Sequence, residues 1–156
     1  MLVMASEQAQ HARIRARVYR ALDDAVRLVG IPCEVFPDGM SVPVADDAVF
    51  EPDALLRCGD PLPDDALKIT DPVVVVEVAS TSTRGLDAGS KLAGYVRLAS
   101  LRHYLILDGR LRVAIHHVRD AQDGPITTRI LREGPLALDP PGIVIDAAAL
   151  FGPSQA

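Results

Sequence analysis

Apolar residues recur at helical spacing near the start of the chain, where Ile14, Val18, Leu22, Ala25 and Val29 line one side of residues 8–29. Gly30 followed by Pro32 supplies the stop signal, so the spacing predicts one amphipathic helix. Short runs of alternating or β-branched residues then predict strands at 33–37 and 40–44, joined by the turn dipeptide Asp38-Gly39. A further strand is predicted at 53–58, entered through Glu51-Pro52, and residues 59–71, rich in Pro and Asp, read as loop. The segment 73–79, VVVVEVA, has the continuous β-branched run of a strand buried on both faces.

A polar turn at 80–85 offers several N-caps to a helix expected at about 86–99. Residues 103–108 form the next strand, and Asp108-Gly109 opens a hairpin into 111–118. Another strand is expected at 126–132, and the Pro-rich tail 135–151 ends in a short apolar segment that should pack on the core. The order is helix, a run of strands, helix, strand, then a β-rich extension. A helix between two apolar strands implies a crossover, which makes that strand pair parallel. The expectation is an α/β fold with a mixed α+β sheet in one domain spanning residues 1–156, since no repeat or linker divides the chain.

Composition narrows the function classes. The formal net charge is −5, which disfavours a protein that holds nucleic acid by bulk electrostatics. Aromatic residues make up 4% with no Trp, too few for a stacking platform along single strands. Any nucleic-acid role must therefore rest on a local site. Arg13, Arg17, Arg20 and Arg27 fall opposite the apolar stripe of the first helix, either as a solvated face or as a phosphate-tracking stripe that Asp23 and Asp24 weaken. The start has no apolar stretch of signal-peptide length, and the longest apolar run, at 73–76, is far short of a membrane span. Cys33 and Cys58 lack metal-ligand spacing and are too few for a disulfide framework, so a reduced, cytoplasmic protein without membrane contact is expected.

Glu77 is the most informative residue. A carboxylate inside a valine run is costly unless it pairs with a cation or binds a metal. Strand alternation sets Val73, Val75, Glu77 and Ala79 on one face. Asp53 opens the preceding strand; alone it reads as a turn residue, but beside Glu77 it would suit a hard cation such as Mg²⁺. Asp87, Lys91 and Tyr95 stand at i, i+4 and i+8 on the second helix, either as a surface Asp–Lys pair or as a row aimed back over the sheet. His116 and His117 point to opposite faces of a strand, His11 and His103 are isolated, and the serines at 80 and 82 have no evident His partner. No G-x-G-x-x-G or P-loop pattern follows a strand.

Pro52-Asp53, then Glu77-Val78-Ala79-Ser80-Thr81-Ser82-Thr83, Asp87, Lys91 and Tyr95 resemble one branch of the PD-(D/E)XK nuclease superfamily. That branch is the Uma-type family of restriction-endonuclease-like proteins, and the resemblance runs over about residues 8–150. It implies a restriction-endonuclease-like αβββαβ core with a C-terminal β extension. It also implies an endonuclease hydrolysing phosphodiester bonds, with DNA as substrate and Mg²⁺ or Mn²⁺ as cofactor. Asp53 and Glu77 become metal ligands, and Lys91 becomes the catalytic lysine. The superfamily's lysine usually stands two residues after the glutamate, where this chain has Ala79; in this branch the following helix supplies it. Glu34 is an extra candidate ligand, with Ser80, Asp87 and Tyr95 in support. A homodimer is expected because proteins of this fold often pair. The competing reading is a catalytically silent nuclease-fold domain that binds protein or nucleic acid, which the acidic charge and Ala79 favour.

Overall fold

The protein is described by a computed structural model covering residues 8–79 and 86–153, with backbone alone for 86–88. Helix α1 (Ala9–Val29) buries Ile14, Val18, Leu22 and Val26, a strict i, i+4 stripe. Val29, expected on that stripe, is exposed instead, because it lies at the last turn beside the Gly30 cap. Gly30 takes the left-handed φ of 74° that a helix stop favours, and its N–H bonds back to the Val26 carbonyl.

Six strands form the central sheet: β1 (Cys33–Pro37), β4 (Ala54–Cys58), β5 (Val74–Val78), β6 (His103–Asp108), β7 (Val113–Arg119) and β8 (Ile126–Leu131), in the spatial order β1-β4-β5-β6-β7-β8. Among these six strands only the β5–β6 pair is parallel, and helix α2 (Leu86–Tyr95) lies between them in the chain, as the crossover argument expects. Read along the chain, α1, β1, β4, β5, α2 and β6 give the αβββαβ order.

Between β1 and β4 lies a small separate hairpin, β2 (Val42–Ala45) with β3 (Ala48–Phe50). The expected pairing of 33–37 with 40–44 through Asp38-Gly39 is therefore corrected: β1 pairs with β4, and β2 leaves the sheet. The reason is burial. Val42 and Val44 fill the layer that covers the α2 side of the sheet, together with Leu55, Ile69, Val75, Tyr95, Leu101 and Tyr104. The opposite face packs Leu56, Val74, Val76, Val78, Leu105 and Leu107 against α1. The tail is more ordered than a Pro-rich segment suggests. It forms the hairpin β9 (Pro135–Leu138) and β10 (Ile143–Asp146) and a short 3₁₀ turn at Ala148–Leu150, all packed beside α1.

Helix α2 ends at Tyr95, four residues earlier than expected, and a buried arginine accounts for the stop. Arg119 donates to the carbonyls of Val96 (2.6 Å), Leu98 (2.6 Å) and Leu101 (2.9 Å), satisfying groups that a longer helix would bond internally. The expectation of two reduced cysteines is also corrected. Cys33 and Cys58 face each other in the β1–β4 register and are disulfide-bonded. Their 25-residue separation conceals a contact that strand pairing creates. No described helix is long and apolar enough to cross a membrane.

Candidate active site

The carboxylates of interest meet where β4 begins and β5 ends. The antiparallel register pairs Ala54 with Val76, and one step further brings Asp53 opposite Glu77. Asp53 is anchored by its own backbone, whose N–H donates to the Val76 carbonyl at 3.0 Å. Its Oδ2 accepts the Val78 N–H at 2.7 Å, so the side chain closes the end of the strand pair. From α1, Arg15 places Nε 3.6 Å from Asp53 Oδ1 and Nη2 3.0 Å from Asp38 Oδ2. Burial pushes the Asp53 carboxyl above its ordinary pKa, against the Val78 hydrogen bond and the charges of His11 and Arg15.

Glu77 is 8% exposed, and the second helix holds both of its oxygens. Tyr95 donates its hydroxyl to Oε1 at 2.8 Å, and Lys91 Nζ stands 3.4 Å from Oε2. Lys91 and Tyr95 reach the same carboxylate because residues four apart share a helix face. Tyr95 is completely buried, with the rings of Phe50 and Tyr104 each 5.1 Å away, centre to centre. Burial and the Glu77 charge drive its phenol pKa far upward, which keeps it a hydrogen-bond donor. Gly94 permits the close approach of α2, since a Cβ there would lie 2.5 Å from the Phe50 ring.

Burial also raises the Glu77 pKa, Lys91 and Tyr95 oppose the rise, and the charge of Asp53 adds to it. Two carboxylates thus remain electrostatically under-compensated even with a lysine and an arginine at hand. That is the condition a bound cation relieves, and hard oxygen donors suit Mg²⁺, which takes one or two carboxylates and keeps its waters. Among the described residues no group of three or more His, Cys, Asp or Glu converges as a metal cage. A closed zinc site needs such a set; Asp53 and Glu77 together offer two carboxylates, which are hard oxygen donors only.

Of the residues expected from sequence, the geometry brings together Asp53, Glu77, Lys91 and Tyr95. Glu34 lies elsewhere. It faces Arg57 in the β1–β4 register, where Arg57 Nη1 contacts its Oε2 at 3.2 Å and the Leu62 N–H donates to the same oxygen at 3.2 Å. Arg57 also carries Asp71 at 3.0 Å, so Glu34 belongs to an ion-pair cluster around a buried arginine with partly exposed acids. It stands four β4 positions from Asp53, roughly 13 Å at strand spacing, too far to share one cation. Ser80 lies outside the described residues, and so does the side chain of Asp87.

Sequence reasoning overlooked the contribution of α1. His11 Nε2 donates to the Val78 carbonyl at 3.1 Å, and Arg15 follows one turn later at Asp53. The i, i+4, i+8 spacing of His11, Arg15 and Tyr19 was a visible signal, but nothing local says that this row meets the end of β5. Beside Asp53 opens a cleft of about 220 Å³, lined by Ala12, Arg15, Ala16, Tyr19, Pro37 and Asp38.

Comparison with known proteins agrees with this architecture. A family model described as Uma2, putative restriction endonuclease, matches residues 1–148. An uncharacterised protein of Synechocystis is 27% identical over 111 residues, covering 69% of this chain. The match spans 62% of that relative's length. Among solved structures, a putative nuclease of the DUF820 group from Anabaena variabilis superposes with a TM-score of 0.73 at 10% identity, over 94% of this chain and 83% of that one. At that identity the likeness is one of fold.

Proposed function

Because the chain belongs to the Uma2 family of restriction-endonuclease-like proteins, we propose that it is a metal-dependent endonuclease that hydrolyses DNA phosphodiesters at Asp53, Glu77 and Lys91. One observation carries the reading. A glutamate buried at the end of a valine strand shares its two oxygens between a lysine and a tyrosine, while an aspartate of the neighbouring strand lies opposite it. A strand serving only to pack gains nothing from that arrangement, since an apolar residue at position 77 would avoid the desolvation cost.

Asp53 and Glu77 would hold the divalent cation, Mg²⁺ or Mn²⁺, whose chemistry is to acidify a water and polarise the phosphate. The chain's own groups do the remaining work. Tyr95 fixes the Glu77 carboxylate by accepting no proton and giving one hydrogen bond, so Oε2 keeps its orientation. Lys91, partly exposed, reaches beyond Glu77 to neutralise the negative charge that grows on the phosphate oxygens as water adds and the leaving oxygen departs. Asp53 is held by the Val78 N–H through one oxygen, and its other oxygen lies 3.6 Å from Arg15 Nε. A PD-(D/E)XK-type site with its lysine on the following helix is the form this takes.

The test is nicking of supercoiled plasmid with Mg²⁺ or Mn²⁺ by the wild-type protein, Glu77→Ala and Lys91→Ala. Nicking that requires metal and disappears in both variants is the expected result. A wild-type protein that binds no metal by calorimetry and leaves the plasmid intact refutes the reading and favours the non-catalytic binding module.

A further inference from the structure

We propose that the cleft between α1 and the turn after β1 is a subsite for the sugar–phosphate backbone of duplex DNA, with Arg15 as its phosphate-binding residue. The inference rests on the nuclease reading for the choice of polymer, and it assigns the path by which that polymer enters the site.

Continuity with the site is the first argument. One wall of the cleft is a strip of α1, Ala12, Arg15, Ala16 and Tyr19, and Asp53 is part of its lining. Its volume of about 220 Å³ falls below the ~300 Å³ at which pockets for whole small molecules begin. A repeating unit of a longer chain, passing beside Asp53, uses such a space without being enclosed.

Charge is the second argument. The chain carries a net −5, yet residues 9–20 hold His11, Arg13, Arg15, Arg17 and Arg20 and no acid. Arg17 is turned to the Phe151 carbonyl at 3.4 Å, whereas Arg13 and Arg20 are exposed. Helical spacing puts Arg13 and Arg20 along one flank of the Ala12–Ala16 strip, with Arg15 on the other. The alanines leave the floor of the cleft low, and Tyr19, one turn beyond Arg15, presents a ring to a sugar or base.

The third argument concerns what Arg15 already binds. Its guanidinium spans two carboxylates, Asp38 and Asp53. A planar fork that bridges two anionic oxygens has the geometry for a phosphodiester. Asp38 has its side chain 42% exposed and can yield its place, so a backbone phosphate exchanges for it while the guanidinium stays beside Asp53. Asp38 therefore acts as a resident anion that competes with the substrate.

The experiment measures binding of a short fluorescein-labelled duplex by anisotropy in EDTA, between about 50 and 200 mM salt. Arg15→Ala should weaken binding on the order of tenfold and flatten the log K against log salt slope by about one, and Arg15→Lys should restore the slope. Asp38→Asn should tighten binding, a gain that misfolding does not produce. Arg27→Ala is the control, because Arg27 pairs with Asp23 at the far end of α1. A wild-type protein that does not bind the duplex, or an Arg15→Ala slope equal to wild type, overturns the proposal. A protein that binds with an Arg15-dependent slope in EDTA but never nicks plasmid with Mg²⁺ or Mn²⁺ refutes the nuclease reading and keeps the subsite. Nicking with an Arg15-independent slope refutes the subsite alone.

Discussion

Acid should destabilise this protein through one pair of buried histidines. His103 on β6 and His116 on β7 are each about 1% exposed and stand in facing strands, with His103 Nδ1 2.9 Å from His116 Nε2. His103 Nε2 donates to the Pro140 carbonyl in the β9–β10 turn at 2.8 Å. That bond fixes both tautomers: His103 Nδ1 must accept, so His116 Nε2 donates, and His116 Nδ1 is left as a buried acceptor without a partner. A proton added to His103 Nδ1 would set donor against donor across the 2.9 Å contact, and one added to His116 Nδ1 would bury a cationic N–H without an acceptor. Burial pushes His116 from its ordinary 6.5 down to about 4, helped by the charges of His103, Arg129 and His117. His103 is lowered as well, mainly by burial; Arg102 assists, while the Pro140 carbonyl and Asp139 oppose it.

The sign follows from linkage. A base whose pKa falls on folding is neutral in the native state, so its contribution is complete above about pH 6.5. It is lost as pH drops from there toward 4. A lowering of that size is worth on the order of a few kcal/mol for His116, a sizeable share of a typical 5–15 kcal/mol stability. The raised carboxyls of Asp53 and Glu77 act in the opposite direction, gaining protons on folding as pH falls, so the raw slope mixes both. Urea denaturation at several pH values between 7 and 4.5, for wild type and His116→Asn, isolates the histidine in the difference. The wild type should lose up to about 1.4 kcal/mol more per pH unit below 6.5 than the variant does. Parallel stability curves for the two proteins would refute the reasoning.

Three further outcomes follow from the packing. Tyr95→Phe removes a hydrogen bond to a buried carboxylate and should cost about 1.5–3 kcal/mol in denaturant unfolding; plasmid nicking, if present, should have its acidic limb moved to higher pH as Glu77 loses a stabilising donor. Gly94→Ala drives a methyl to within 2.5 Å of the Phe50 ring and should lower stability by about 1–3 kcal/mol, read as a fall in the thermal midpoint. Reducing Cys33–Cys58, or replacing both with serine, releases a loop of 25 residues and should cost about 3.5 kcal/mol by the chain-entropy relation; an unchanged midpoint in reductant would contradict the bond.

Local pattern was enough for α1, for β5 and for the α2 crossover. Helical and strand periodicities are short-range properties, and the buried stripe Ile14, Val18, Leu22 and Val26 follows from spacing alone. Glu77 stood out for the same reason, as a single charge in an apolar run. The resemblance to the nuclease branch was likewise carried by a compact block, Glu77 to Tyr95, and the family match agrees with it.

Tertiary structure alone decided which elements meet. The turn dipeptide at Asp38-Gly39 is a local signal, but the partner of β1 was chosen by burial of Val42 and Val44 against α2 and by the register that sets Cys33 opposite Cys58. The same register carried Glu34 to Arg57 and away from Asp53, and it brought Asp53 opposite Glu77. His11 and Arg15 reach the end of β5 only because α1 lies across that face of the sheet. Periodicity reports which face of an element is buried, and it carries no information about what lies on the other side. That choice is made by the free energy of packing and pairing summed over segments far apart in the chain, so it becomes readable only when the whole fold is assembled.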